Sequence, residues 1–319
     1  MRSKFGIFLF VVLLCIVLII VNEHLFQVSD GPDERPRINY KLLDGQGKSA
    51  MCSFTNNSEQ TLYLNVTPYI TSERPVLFTV FMNGKQIECL WNGDNDINYQ
   101  TIIEPEQKKV IEVVLRDIPE GKNTFQFGTV YFPEKTTWED PDKLMNSEYS
   151  MELTPFTIVS KKDTVSEDWS FPYHSYLFQN DATISQIVGI EGELCLSKDQ
   201  PSVRCVNNLK DQKHLYYYWG NSEEEIVMVR FSLMKDWKQI TWPDSGEMFL
   251  DIKANPGDSF VKEINLLQSA QLGANQYTVV AFVNPGVPFW DKNEKDLEYS
   301  EVNQNGARGW ATLRNIIYK

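Results

Sequence analysis

Histidine is scarce in this sequence, 3 in 319 residues, and only His174 and His214 lie beyond the N-terminal region. Neither stands in a nucleophile, zinc or general-base motif. There is no G-x-S-x-G, no phosphate-binding glycine loop and no H-E-x-x-H, so the patterns that mark hydrolases, nucleotide enzymes and zinc proteases are missing. No catalytic, cofactor-binding or metal-binding residue is assigned, the chain is not read as an enzyme, and both histidines are expected to be structural or surface residues. Helical periodicity is also missing: beyond residue 22 no long segment keeps a 3.6-residue apolar period, which argues against helical bundles and α/β folds. Basic residues are in deficit, 30 against 43 acidic, for a net charge of −13. Such a surface repels nucleic acid and anionic headgroups, so no nucleic-acid partner is expected.

Cysteine is sparse as well, with 5 in the chain. Cys15 sits inside an apolar run behind Leu13 and Leu14, without the small residue that lipoprotein cleavage needs, and reads as a membrane-buried thiol. Cys52, Cys89, Cys195 and Cys205 remain, an even number in a segment expected to face an oxidising compartment. CLSKDQPSVRC places Cys195 and Cys205 at the ends of a hairpin-sized loop, so they are the expected local crosslink; Cys52 with Cys89 follows by elimination. No C-x-x-C spacing points to zinc. NGDNDIN sets Asp94, Asp96 and Asn98 at alternate positions like the start of a calcium loop. Tyr99 and Pro105 stand where that loop needs Gly and Glu, so a solvated turn is expected.

The chain opens with two basic residues, Arg2 and Lys4, and then Phe5–Val21, 17 residues without a charged or polar side chain. As a helix this run spans roughly 25 Å, short for a transmembrane span but longer than a typical signal-peptide core. The following NEHLFQVSDG lacks the A-x-A pair of a cleavage site, which favours an uncleaved signal anchor over a secreted product. Arg2 and Lys4 before the run and acidic residues after it keep the N-terminus cytoplasmic. The expected layout is a cytoplasmic tip (1–4), a single-pass transmembrane anchor in the cell membrane (5–22), a charged Pro/Gly spacer (23–37) and an extracytoplasmic bulk.

That bulk reads as all-β. LYLNV (62–66), VLFTVFM (76–82), KVIEVVL (109–115), FQFGTVYF (125–132) and FTIV (156–159) are β-branched and aromatic runs bounded by turn residues. Asn83-Gly84 is the strongest hairpin signal, because a type I′ turn needs positive φ at both positions. The second half repeats the first. Asn57-Ser58-Glu59 is matched with Asn221-Ser222-Glu223, Lys85-Gln86-Ile87 with Lys238-Gln239-Ile240, and EPEQKKV (104–110) with NPGDSFV (255–261). GKNTFQFGTVYFP (121–133) is matched with GANQYTVVAFVNP (273–285). Matches in one order over so long a stretch indicate a tandem duplication. A first β-sandwich (38–160), a linker (161–169) and a second sandwich (170–319) opening with an extra hairpin are expected.

Period-2 reading puts Phe125, Phe127, Thr129 and Tyr131 on an inward face, matched by Tyr277, Val279, Ala281 and Val283. Val130, Val280 and Phe282 make the opposite face apolar too, so that face needs a cover, for which the long loops after each strand are the natural candidates. Those loops, Pro133–Met151 and Pro285–Gly309, each carry a Trp beside an acidic residue and then Glu-Tyr-Ser. Trp138, Tyr149, Trp290 and Tyr299 are therefore the recognition candidates, and folding back of the two Trp residues over their own strands is the competing packing role.

An N-S-E turn ahead of a strand, P-G-D ahead of VKEINLL, and LGANQYTVVAFV together resemble the immunoglobulin-like modules of bacterial surface proteins, the cell-adhesion-related type. The resemblance implies two tandem sandwiches of about seven strands after the transmembrane helix, with Tyr277 as corner residue. Phe125 lacks the hydroxyl for that role, and EPEQ lacks the turn glycine. The resemblance speaks to fold; the function expected of tandem sandwiches on a membrane anchor is a binding, adhesion or spacer module at the cell surface, with an unidentified protein or cell-surface partner. The alternatives are an accessory subunit whose partner covers the apolar strand faces, or a carbohydrate-binding module.

Overall fold

The computed structural model describes residues 37–50, 52–55, 57–134, 151–160, 193–195, 209–210, 213–266, 274–285, 308–311 and 315–318. Among these every regular element but a single helical turn residue is a strand. The first half contributes β1 (Arg37–Asp44), β2 (Cys52–Thr55), β3 (Gln60–Tyr69), β4 (Arg74–Met82), β5 (Lys85–Ile87) and β6 (Cys89–Trp91). It continues with β7 (Asp94–Asp96), β8 (Asn98–Ile103), β9 (Lys109–Leu115), β10 (Gly121–Tyr131) and β11 (Met151–Ser160). The second half contributes β12 (Glu193–Cys195), β13 (Leu209–Lys210), β14 (His214–Gly220), β15 (Val227–Lys235) and β16 (Lys238–Ile240). It ends with β17 (Leu250–Ala254), β18 (Ser259–Asn265), β19 (Ala274–Val283), β20 (Arg308–Ala311) and β21 (Asn315–Tyr318). Each apolar run of the sequence lies in a strand: β3, β4, β9, β10 and β11.

The strands form two sheet pairs. In the first half β1-β3-β9-β6-β7 faces β2-β11-β10-β4-β5, with β8 also on β4. In the second, β12-β14-β18 faces β13-β21-β19-β15-β16, with β17 on β15 and β20 on β19. A first strand divided between the sheets, with β2 running parallel to the last strand β11, gives the immunoglobulin-like arrangement. Inward residues fill each space. Phe125 stacks on Phe156 at 4.9 Å in one core, and Phe231 stacks on Phe260 at 5.6 Å in the other. The residues read as inward on β10 and β19 are buried on those inner faces.

The pairing corrects one of the internal matches. Val110 pairs with Asn65 across β9 and β3, and Val261 pairs with Tyr218 across β18 and β14. Once Val110 is aligned on Val261, Leu62-Tyr63 answers to Leu215-Tyr216. The Asn57-Ser58-Glu59 turn precedes β3, whereas Asn221-Ser222-Glu223 follows β14, so that match is a coincidence of turn chemistry. β12 and β13, from the segment read as an extra hairpin, sit on β14 and beside β21, where β1 and β2 sit in the first half. The EPEQ turn also manages without its glycine: Glu106 takes φ 61° where the second half has Gly257 at 79°.

The outward apolar faces cover one another. Leu77, Phe81, Val130 and Met151 of the first half and Met234, Trp237, Val280 and Phe282 of the second form a third buried cluster, in which Phe81 and Phe282 lie 5.2 Å apart. The cover among the described residues is thus the other half of the chain, not the loops expected to supply it. Phe81, Val130 and Val280 are wholly buried, as in a domain core rather than a hinged contact. Residues 38–319 accordingly form one compact unit.

The β4–β5 turn is the tightest point of this seam. Asn83 and Gly84 have φ 53° and 81°, the expected type I′ turn. A Cβ on Gly84 would lie 2.6 Å from Arg230 Cδ. Gly84→Ala combines a left-handed backbone with a clash across the seam, and a loss of roughly 2–4 kcal/mol in urea unfolding is expected; an unchanged midpoint would show that the seam tolerates a side chain there.

Candidate functional site

The chemistry of the seam is built from the repeated Lys-Gln-Ile tripeptide. Gln86 and Gln239, 153 residues apart, exchange bonds: each backbone N–H donates to the other's Oε1, both at 2.8 Å. Gln86 Nε2 also donates to Thr79 Oγ1, and Gln239 Nε2 to Ser232 Oγ, each at 2.9 Å. Residue i meeting j while j meets i is the pattern of a two-fold interface, here within one chain. The hairpin turns mirror each other too, since Asp236 and Trp237 have φ 48° and 63° at the places of Asn83 and Gly84. The Asn83 side chain accepts from Thr124 N at 2.9 Å, as Asp236 accepts from Gln276 N at 2.8 Å.

Trp in the left-handed region is unusual and costs about 1–3 kcal/mol. Its surroundings fix it. The Trp237 indole N–H donates to Pro133 O at 2.8 Å, and its carbonyl accepts from Gln86 Nε2 at 2.9 Å and Asn98 Nδ2 at 3.2 Å. The place that Trp237 fills on one side is filled on the other by Arg230, which packs over Gly84. Arg230 binds Asp251 through Nε and Nη2, both at 2.8 Å, donates from Nη1 to Asn83 O at 2.8 Å, and stacks 4.1 Å over Phe249. A buried ion pair so completely bonded avoids the penalty of an unpaired charge, and it fixes the register of the two halves.

The seam also sets where the two long loops begin. Pro133 O accepts from Gln276 Nε2 at 2.7 Å as well as from Trp237, and Pro285 O accepts from Thr124 Oγ1. The end of β10 therefore meets the start of β19, and the end of β19 meets the start of β10. The loops leave at opposite ends of the seam, about 30 Å apart for nine residues of strand. Trp138, Tyr149, Trp290 and Tyr299 lie outside the described residues, as do His174, Cys205, the linker 161–169 and the apolar run Phe5–Val21. No described helix is long and apolar enough to cross a membrane.

The remaining candidates resolve individually. Asp94–Asp96 forms β7, paired with β6 across an Asn92-Gly93 turn with φ 51° and 97°. Asp96 Oδ1 accepts from Ile97 N at 2.6 Å, and Asn98 turns into the seam. Among the described residues no three His, Cys, Asp or Glu side chains are grouped to hold a metal. His214 opens β14 with Nδ1 2.7 Å from Glu263 Oε1 on the neighbouring strand.

Cys89 is a free, buried thiol, so the pairing with Cys52 reached by elimination is not made. The two lie at opposite edges of the first sandwich. Tyr40 of β1 bonds Thr154 of β11 at 2.9 Å, which sets the β1 edge of one sheet over the β2–β11 edge of the other. β6 is three strand spacings from β1, about 14 Å, beyond a disulfide's reach. The partner of Cys195, Cys205, is not described, and that pairing is left as the sequence has it. Burial pushes the Cys89 thiol up to about 12, so it stays protonated and unreactive at neutral pH. Iodoacetamide at pH 8 should label Cys89 only after denaturation, as read by peptide mass mapping; labelling of the native chain would contradict its burial.

No family model matches the chain, and no curated protein matches it. Solved structures do resemble part of it. The CARDB domain of PF1109 from Pyrococcus furiosus, solved with di-metal ions, is 14% identical, covers 40% of this chain and 97% of its own, and has a TM-score of 0.27. The complex of zinc 2-glycoprotein and prolactin inducible protein from human seminal plasma matches at 13% identity over 42% of this chain and 100% of the other, TM-score 0.29. WR4, a C. elegans MSP family member, matches at 9% over 40% and 97%, TM-score 0.23. Each likeness spans about one sandwich, and the architecture rests on the strand pairing above.

Of the side chains that bond across the seam, Gln86 and Gln239 carried a signal in the sequence, an identical tripeptide in both halves; the apolar Val130, Val280 and Phe282 were legible as a face needing a cover, and Asn83-Gly84 as a turn. The seam is coupled through them. Gln86→Ala and Gln239→Ala should each cost roughly 1–3 kcal/mol, because each strands buried partners, and the double variant should lose clearly less than their sum. Strict additivity in urea melts would show that the two bonds act independently.

Proposed function

We propose that this chain is a membrane-anchored, extracytoplasmic binding or adhesion module at the cell surface. Its two immunoglobulin-like sandwiches are joined face to face, and the loops 135–150 and 286–307 are its contact elements. The observation that carries the reading is the sealed seam. Val130, Val280 and Phe282 are covered by the opposite half, so the tryptophans of the two loops are not required as covers for their own strands. The same observation weakens the accessory-subunit alternative, whose support was an apolar strand face left for a partner.

Loops rooted at opposite ends of a rigid seam suit a module that makes two separate contacts, and Trp and Tyr are the residues that carry most contact energy in such surfaces. The membrane anchor and the cytoplasmic N-terminus rest on the apolar run Phe5–Val21 with Arg2 and Lys4 before it. The reading is tested by Trp138→Ala with Trp290→Ala in the full chain. The expected outcome is a thermal midpoint within about 2 °C of the parent together with lost attachment to cells or cell wall. A fall of several degrees with attachment retained would make the two residues packing elements and remove the reading.

A further inference from the structure

In the first half β9 lies between two strands, β3 on one side and β6 on the other, where Leu90 and Trp91 stand opposite Val114 and Val113. Asn92 continues that pairing: its N–H donates to Glu112 O and its Oδ1 accepts from Glu112 N, both at 2.9 Å. In the second half β18, the counterpart of β9, pairs with β14 alone among the described residues. The cause is local. At the spacing set by the shared Lys-Gln-Ile, Pro243 and Asp244 stand where the first half has Leu90 and Trp91. Proline has no N–H to give a ladder. The chain turns back instead, with Gly246 N donating to Trp242 O and Trp242 N to Glu247 O, both at 2.8 Å.

The register locates the edge that this leaves. Leu266 N donates to Lys213 O and Asn221 N to Asp258 O, so the even-numbered residues of β18 bond β14, and the backbone N–H and C=O of Val261 and Glu263 point the other way. Glu112, which answers to Glu263, spends the same two groups on Asn92. An open edge of this kind is a template for a further strand. One side chain beside it is out of keeping with the core. Phe260 and Ile264 are buried in the second sandwich, and Lys262 shares their face by the two-residue period. Its counterpart in the first half is Ile111, wholly buried. Lys262 Nζ lies 3.0 Å from Asp244 Oδ2, and the two side chains are 19% and 37% exposed. A strand laid along β18 would cover this ion pair and strip it of water. Inward-facing charge on an edge strand is one of the ways in which edge-to-edge pairing is blocked.

We propose that Lys262 and Asp244 guard the β18 edge against pairing with a second copy of this chain. A second copy is the occupant the edge fits, because every copy carries the same edge and two β18 strands can run antiparallel about a two-fold axis. The guard is separate from the two loops and does not depend on the cell-surface reading.

Lys262→Ile, which installs the first half's residue, tests it in the full chain held in detergent. Light scattering after size exclusion should give twice the parent's protein mass. Glu263→Pro added to Lys262→Ile removes one edge N–H without touching the core, and should return the mass to the parent's. Lys262→Met keeps the length of the side chain without its charge, and decides by the same measurement if Lys262→Ile fails to fold. In the parent, the Glu263 amide should exchange with deuterium at least about a hundredfold faster than the Glu112 amide. A parent-like mass for the folded Lys262 variant, a doubled mass that survives Glu263→Pro, or equal protection of the two amides would each overturn the proposal.

Discussion

The contact between the outward faces of β10 and β19 is the constraint on which the rest of this structure depends. A strand apolar on both faces must be covered on both. Each half supplies the other's cover, so neither inner sheet is complete alone. Polar groups within the contact are matched accordingly. Gln86 and Gln239 satisfy each other's backbone, Asn98 and Gln86 serve the Trp237 carbonyl, and Asp251 neutralises Arg230. A buried contact of this kind tolerates polar atoms only when nearly all are bonded.

The symmetry of the contact is approximate, and its departures have physical causes. At one hairpin turn a glycine makes room for the Arg230 side chain. At the other, a tryptophan accepts a left-handed backbone and fills the space with its ring. Neither solution can be swapped singly, because a bulkier residue at Gly84 meets Arg230 and a smaller one at Trp237 leaves Pro133 O with the Gln276 amide as its one remaining donor of the two. An internal two-fold contact inside one chain frees its two sides to diverge in this way, which identical subunits cannot do.

Much of the fold was legible in the sequence, since a strand's period and a type I′ turn are local properties. The inward residues of β10 and β19, the Asn83-Gly84 turn and the five apolar runs of the first half all follow from spacing alone. What failed was non-local. Asn57-Ser58-Glu59 resembled Asn221-Ser222-Glu223 because turns draw on few residue types. The true counterpart of LYLNV is LYYYW, in which Tyr217, Tyr218 and Trp219 stand where the first half has Leu64, Asn65 and Val66. Cys52 and Cys89 were paired by parity, which carries no geometry. Asp236-Trp237 could not be read as a turn, because tryptophan has no turn propensity and is held there by tertiary contacts. The cover for Val130 and Phe282 was visible as a need, but its supplier depended on how two sheets face each other. The candidate contact residues Trp138 and Trp290 remain readings of the sequence; the structure contributes the fixed roots of their loops at Pro133 and Pro285.

Those roots carry a mechanical consequence. β10 and β19 run in opposite directions across the seam, so a pull applied through both loops at once loads the contact in shear rather than peeling it from one end. Sliding the sheets would have to break the glutamine exchange, the Arg230–Asn83 bond and the bonds to both proline carbonyls together. A joint loaded in this way shares a pull between Pro133 and Pro285 over its whole length.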